Sequence, residues 1–265
     1  MKRFAIILIS IISAFFIVFS TTTFAEGKQS FQIPKSVLNI SKENTYKNPD
    51  SDLPYLQPSE LTKELLATID LKIENPELIR MLNETSIQMS KLAFGFRASV
   101  FLGEWPLSYD SESTEVNWQY EKVNTNYRDN RGGNSHQKMT YVQEQQKKVI
   151  GGLTASVPNS EAVKKLMMIK AAEKTNLPLT FETIIGQGTS KNHTYNVPPR
   201  QVGYLHSYVP AVYEKGKGRN GEEYLRFKDG KRQSEVKNVT QQGIGAWIPV
   251  QDHLSFSFMT ANQPQ

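Results

Sequence analysis

The sequence predicts an α+β fold: a largely antiparallel sheet with about three helices packed on it. Three observations lead there. Apolar residues at helical spacing are confined to the early and middle parts of the chain. The last third instead alternates apolar and polar residues, the period of a half-buried strand. Within that third, Lys228-Asp229-Gly230-Lys231 joins two alternating runs directly, as a hairpin does, with no intervening helix to return the chain for parallel pairing.

The chain opens with Lys2 and Arg3, followed by an apolar run from Phe4 to Phe19 broken only by serines. Thr23 and Ala25 then supply small residues at the −3 and −1 positions of a cleavage site, so residues 1–25 read as a signal peptide cut after Ala25. The alternative is an uncleaved N-terminal anchor. The run, about 16 residues, falls short of the roughly 20 needed to span a bilayer. In both cases the rest of the chain is expected outside the cytoplasm, and no later stretch is apolar enough for a second span.

Residues 26–57 read as an extended N-terminal arm. They are polar, Pro34, Pro49 and Pro54 hold them extended with Pro58 just beyond, and Phe31, Ile33, Val37, Leu38 and Ile40 give them something to pack. Residues 58–265 then form a single α+β domain. Leu61, Leu65 and Ile69 recur every four residues behind Ser59, a suitable N-cap. A second helix starts at Asn75 with Pro76 in its first position and Glu77 near the positive end of the dipole. From Phe94 the even positions Phe94, Phe96, Ala98, Val100 and Leu102 line one strand face, and Val116, Trp118 and Tyr120 line another. Asn130-Arg131-Gly132-Gly133-Asn134 marks a turn, and Met139 and Tyr141 begin a further strand.

A third helix is predicted from Glu161 to Lys174, capped by Ser160 and followed by Pro178. Val163, Leu166, Met167 and Lys170 lie along one side of it. Met167 and Met168 could open a soft binding groove, but core packing is the expected role. Strands follow at Leu179–Ile185, Val202–Tyr213, Glu222–Lys228, Arg232–Val239 and Gly243–Val250, with a last one through Leu254, Phe256 and Phe258.

Composition excludes several classes. With no cysteine there is no disulfide framework, thiol nucleophile, lipid-modified Cys, c-type haem attachment or cysteine zinc site. The formal charge of +5 includes Lys2 and Arg3, so the exported chain carries only about +3. That excess permits contact with an anionic polymer and does not indicate a nucleic-acid binder. His136, His193, His206 and His253 are scattered without metal-ligand spacing, and no cofactor is expected. There is no Gly-x-Ser-x-Gly elbow, although a triad can still assemble in the fold. Glu104, Glu182 and Asp252 are the acids best placed for a glycosidase pair, and only their separation in space decides it.

Trp105, Trp118, Tyr120 and Trp247 fit either a binding platform or the core, and the polar face opposite them favours the core. Lys215, Lys217 and Arg219 are expected in one loop and Lys228, Lys231 and Arg232 around the next turn, roughly 20 Å away at the other end of a shared strand. These observations predict a non-catalytic binding or structural protein. Its partner would be a cell-wall polymer or an envelope protein, with membrane contact only if the N-terminal segment stays on. The alternative is a wall glycan or peptide hydrolase whose site exists only in the fold.

Several stretches carry a family resemblance. They include Ile33 to Asn44 (IPKSVLNISKEN), Asp52 to Leu61 (DLPYLQPSEL) and Lys72 to Leu78 (KIENPEL). Asn130 to Asn134, Tyr195 to Pro199 (YNVPP) and Gly243 to His253 (GIGAWIPVQDH) continue the set. Together they resemble the YfkD-like family of exported Bacillus-type proteins, over essentially the whole mature chain. The resemblance implies a Gram-positive exported protein, supplies no catalytic motif to carry over, and leaves the activity open.

Overall fold

A computed structural model describes residues 31–49, 56–85, 95 and 97–264. The expected signal segment, the part of the arm around Pro54, and Phe94 and Phe96 lie outside the described residues. Strand is the dominant conformation, and every pairing is antiparallel. In chain order the elements are β1 (Val37–Asn39), α1 (Glu60–Leu66), α2 (Pro76–Glu84), β2 (Arg97–Asp129), β3 (Gln137–Val142), β4 (Lys147–Ile150) and β5 (Gly152–Leu153). They continue as α3 (Ser160–Thr175), β6 (Glu182–Ile185), β7 (Ser190–Val197), β8 (Val202–Lys228), β9 (Lys231–Pro249) and β10 (His253–Ala261).

β8 is the spine. β2 pairs with it from end to end, while its other side is taken by β10 along residues 202–208 and by β9 from residue 211 onward. β1 extends β10 and β5 extends β9. Two separate strand pairs, β3–β7 and β4–β6, complete the list of sheets among the described residues.

The register places all the irregularity on the neighbours of β8. Five shifts add residues to β2 and one adds a residue to β9. β2 therefore needs 33 residues to follow the 27 of β8. Because β8 alternates without a bulge, odd and even residues face opposite sides along its whole length. Its buried residues nevertheless change parity. Leu205, Ser207, Val209 and Ala211 are buried, then Val212, Glu214 and Gly216, then Glu223, Leu225 and Phe227. The core layer crosses the sheet near Ala211–Val212 and again between Asn220 and Glu223.

Each of the three stretches has its own cover. Leu205, Val209, Leu254 and Phe256 pack against Met139, Tyr141, Val149, Ile185 and Val197 of the small strand pairs, with Ile40 of the arm. Val212, Ile244, Ala246 and Ile248 pack under Val163, Leu166, Met167 and Ala171 of α3. At the far end Leu225 and Phe227 meet Leu65 of α1, and Leu78 and Leu82 of α2 pack on Leu107.

The two early helices begin as their sequences predict. The Ser59 hydroxyl accepts from Thr62 N–H, and Asn75 Oδ1 accepts from Glu77 N–H at 2.9 Å. For α3 the expected cap is corrected: Ser160 is its first helical residue. Asn159 precedes it at φ 50°, makes no side-chain cap, and donates to Glu104 O instead. Met167 and Met168 pack in the core under α3.

Two expected breaks are absent. Val202–Tyr213 and Glu222–Lys228 are parts of one strand, as are Arg232–Val239 and Gly243–Val250. The segment Lys215 to Gly221 looks like a loop because it holds three glycines. Here glycine makes room instead of a turn. A Cβ on Gly216 would lie 2.8 Å from Tyr109 Cζ and 2.1 Å from Asp110 O, so the tyrosine ring covers the bare backbone. The true turn is Asp229-Gly230, with φ of 51° and 74°, the two positive values a type I′ hairpin needs. The short strands β4, β5 and β7 have no counterpart in the sequence expectation.

The described part of the arm is woven into the structure. β1 pairs with β10 and Ile40 is fully buried. Asn44 and Asn48 each donate to Asp252 Oδ1 at 2.8 Å and to Ile184 O, and Asn48 Oδ1 accepts from Ile184 N–H.

Candidate functional site

The residues weighed as acids and ligands are placed apart and mostly engaged. Glu104 is exposed on β2, opposite Glu222 of β8. Glu182 forms an ion pair with Lys148 at 2.7 Å. Asp252 holds the arm. His253 is buried with Nδ1 2.7 Å from Gln251 O, and His206 Nδ1 lies 2.8 Å from Thr125 Oγ1. His193 packs edge-on against Tyr195, and His136 is exposed. Among the described residues no group of three His, Asp or Glu side chains is arranged to hold a metal.

The basic residues are corrected most. Lys215, Lys217 and Arg219 lie inside β8, not in a loop. Lys217 pairs with Glu112 at 3.0 Å and Arg219 with Asp110 at 2.8 Å, so β2 neutralises them. Lys217 and Lys228 are separated by about 36 Å of extended strand, further than the expected spacing.

The aromatics divide. Trp105 packs beside Leu107 and donates its indole N–H to Leu102 O, and Trp118 packs on the layer under α3. The bulge between Asn117 and Glu121 breaks the face expected for Val116, Trp118 and Tyr120. Tyr120 leaves that face and stacks on Trp247, ring centroids 5.1 Å apart and planes 24° apart. Tyr213 lies 4.7 Å from the same indole. Trp247 sits between Ala246 and Ile248, which are buried under α3, so this trio faces away from the helix. A second row, Tyr127, Tyr204, His206 and Tyr208, occupies the face opposite Leu205 and Val209, with centroid separations of 5.2, 6.2 and 6.5 Å.

One polar cluster has the components of chemistry. The Ser111 hydroxyl donates to Glu214 and accepts from Lys174 Nζ at 2.7 Å. Thr114 Oγ1 donates to the other Glu214 oxygen at 2.6 Å. Glu214 is fully buried. Burial raises its pKa, against the hydroxyl donors and the nearby Lys174 charge. Burial and the Glu214 charge likewise raise the pKa of Tyr109. No sequence motif signals this set, because Ser111, Lys174 and Glu214 come from β2, α3 and β8.

A second buried acid, Glu223, lies at the other crossover of the core. It accepts from the Ser234 hydroxyl, and its Oε2 has no partner among the described residues. Burial lifts its pKa to about 7.

A cavity of about 10 Å³, bordered by Ser108, Tyr109, Val163, Leu166, Asn220 and Ile244, has room for a single water. A larger open cleft of about 390 Å³ sits at the hairpin end, bordered by Arg97, Ser99, Arg226, Lys228 and Gln233.

Comparison with known proteins adds one consistent finding. The family described as YfkD-like protein matches residues 34–265. A Bacillus subtilis (strain 168) protein, printed as "Uncharacterized protein YfkD", is similar at 58% identity over 239 residues, which is 90% of this chain and 90% of that one.

Proposed function

From the premise that this chain belongs to the YfkD-like family, we propose that it is an exported protein that binds a cell-envelope polymer without altering it. Export rests on the Lys2-Arg3 start, the apolar run to Phe19 and the small residues before Glu26. The observation that carries the binding reading is the Tyr120–Trp247–Tyr213 trio on the sheet face turned away from α3. The three rings are half-buried, with Tyr120 also flanking the core layer of Leu205 and Val209, and partly exposed aromatic rings beside tyrosine hydroxyls suit the apolar faces and polar rims of sugar rings. The row from Tyr127 to Tyr208 offers a second such strip.

The mature protein should co-sediment with purified Gram-positive cell wall, and Trp247→Ala should reduce retention at least fivefold with an unchanged melting temperature. Retention unchanged by that substitution would overturn the assignment of the binding face.

A second reading has a specific observation in its favour. Ser111, held between Lys174 and the buried Glu214, is a nucleophile, cation and acceptor within hydrogen-bond reach. In that reading Glu214 takes the hydroxyl proton as Ser111 attacks an acyl carbon, the adduct expels its alcohol or amine with that proton, and water then hydrolyses the acyl-serine, with Lys174 beside the developing charge. Against it, the Ser111 oxygen is already fully engaged, and neither cavity described above borders it. Soluble fragments released from wall, and lost in Ser111→Ala, would establish it over the binding reading.

A further inference from the structure

The polymer-binding reading leaves the chemistry of the polymer open, and the hairpin end narrows it. β2 begins there with Arg97, which pairs with Lys228, which in turn pairs with Lys231 across the turn. One step inward Ser99, Arg226 and Gln233 repeat the row, and the next step holds Phe101, Tyr224 and Glu235. Residues paired directly across strands share a face, so the three rows form one surface. The open cleft of about 390 Å³ lies at its outer end, against Arg97, Ser99, Arg226, Lys228 and Gln233, and also reaches Ala98 and Phe227 of the opposite face.

Charge on this surface is unbalanced. Arg226 pairs with Glu235 at 3.1 Å. Among the described residues no carboxylate lies within ion-pair reach of Arg97, Lys228 or Lys231, in contrast to Lys217 and Arg219 further along β8. Arg97, Lys228 and Lys231 are all exposed. Neighbouring strands stand about 4.8 Å apart, so the three cations span roughly 10 Å. Bringing like charges together on a solvated face is unfavourable unless an anion shares them.

The next row supplies the other half of a recognition pattern. Phe101 is 56% exposed, with its ring 5.1 Å from that of Tyr224. Lys237 Nζ sits 4.7 Å from the Tyr224 ring centre. Arg97 and Phe101, like Lys228 and Tyr224, are four residues apart on their strands, which sets the aromatic plate about 13 Å from the cations. A simple inorganic anion uses only the charges. A chain in which phosphate alternates with a sugar or polyol uses both.

We propose, resting on the polymer-binding reading, that the β8–β9 hairpin end binds a linear phosphodiester polymer of sugar or polyol units. Its phosphates lie on Arg97, Lys228 and Lys231, and its carbon units lie on Phe101 and Tyr224. Guanidinium and ammonium groups serve complementary roles here, Arg97 as a fork and the lysines as point charges.

The test uses the exported protein with synthetic poly(glycerol phosphate) as the probe, a carboxylate polymer of matched charge, and anionic phospholipid vesicles. Binding to poly(glycerol phosphate) is expected to fall steeply with salt. Arg97→Gln with Lys228→Gln should lower it at least tenfold and reduce the log–log salt slope by about 2, one for each cation removed. Phe101→Ala should weaken the phosphate polymer while leaving the carboxylate polymer unchanged. An unchanged melting temperature in each variant excludes misfolding as the cause.

Equal binding of the carboxylate polymer, binding only to vesicles, or insensitivity to the paired substitution would each overturn this site. If wall retention persists through Trp247 while the hairpin variants behave as wild type, this site alone fails. If neither wall nor polymer retains the wild-type protein, the binding function itself fails.

Discussion

At the scale of single residues, the two buried glutamates of β8 behave differently because their partners differ. Glu214 has four polar side chains around it, Ser111, Thr114, Lys174 and Tyr109; Glu223 has the Ser234 hydroxyl alone. Burial lifts Glu223 to about 7, above the ordinary carboxylate value of the unfolded chain. The folded state therefore holds a proton that the unfolded state has released. Its contribution is fully present below about pH 4.5 and is lost as pH rises to about 7. Replacing the acid with its neutral amide removes this loss. Glu223→Gln should be nearly neutral at pH 4.5 and more stable than wild type at pH 8, by on the order of 2 kcal/mol. Denaturant titrations at the two pH values measure it, and a difference independent of pH would contradict the assignment. Gly216 is the other informative residue. Gly216→Val drives a side chain into Tyr109 and the Asp110 carbonyl. It should cost about 3 kcal/mol of unfolding free energy in a urea melt.

At the scale of elements, the features legible in the sequence are those set by local chemistry. Ser59 and Asn75 act on backbone N–H groups within three residues of themselves, and Pro76 and Asp229-Gly230 act through their own φ, so the two helix starts and the hairpin are readable. The continuity of β8 and β9 is not. A strand whose buried side changes without a bulge shows a slip in apolar phase, and a slip reads as two strands with a loop between. At Lys215–Gly221 the glycines strengthened that impression, although each is flanked by paired strands. The same cause hid the polar cluster. Ser111 and Glu214 meet only because β2 and β8 run side by side through the stretch expected to be a loop. β2 carries five irregularities on an edge that, among the described residues, pairs with no further strand. Bulges on such an edge interrupt the row of free backbone groups that would recruit another chain. The aromatic trio also depends on one of them, since the bulge at 118–120 sends Tyr120 to Trp247.

At the scale of the whole molecule, the chain builds one long spine and covers it alternately on its two faces. Each covered stretch leaves its reverse side less buried than the covered one, and the proposed binding faces are these reverse sides. Behind the α3 layer stand Trp247 and Tyr213, behind the small strand pairs stand Tyr204, His206 and Tyr208, and behind Leu225 and Phe227 stand Tyr224 and Arg226. The arm belongs to this construction, since Asn44 and Asn48 join it to Asp252 and Ile184. Asp252→Ala removes one of the two acceptors both amides share, leaving only Ile184 O, and a loss of about 2 kcal/mol is expected in thermal or urea unfolding. An unaltered melting temperature would show that the arm is not part of the folded unit.

The central claim is that these reverse faces bind envelope polymer and do no chemistry on it. The most direct measurement is sedimentation of the protein with purified Gram-positive wall, with bound protein and solubilised wall scored in the same tube. The account predicts retention without release, diminished by Trp247→Ala and unaffected by Ser111→Ala. Release of soluble wall fragments that depends on Ser111 would contradict it and move the function to the Ser111–Lys174–Glu214 cluster.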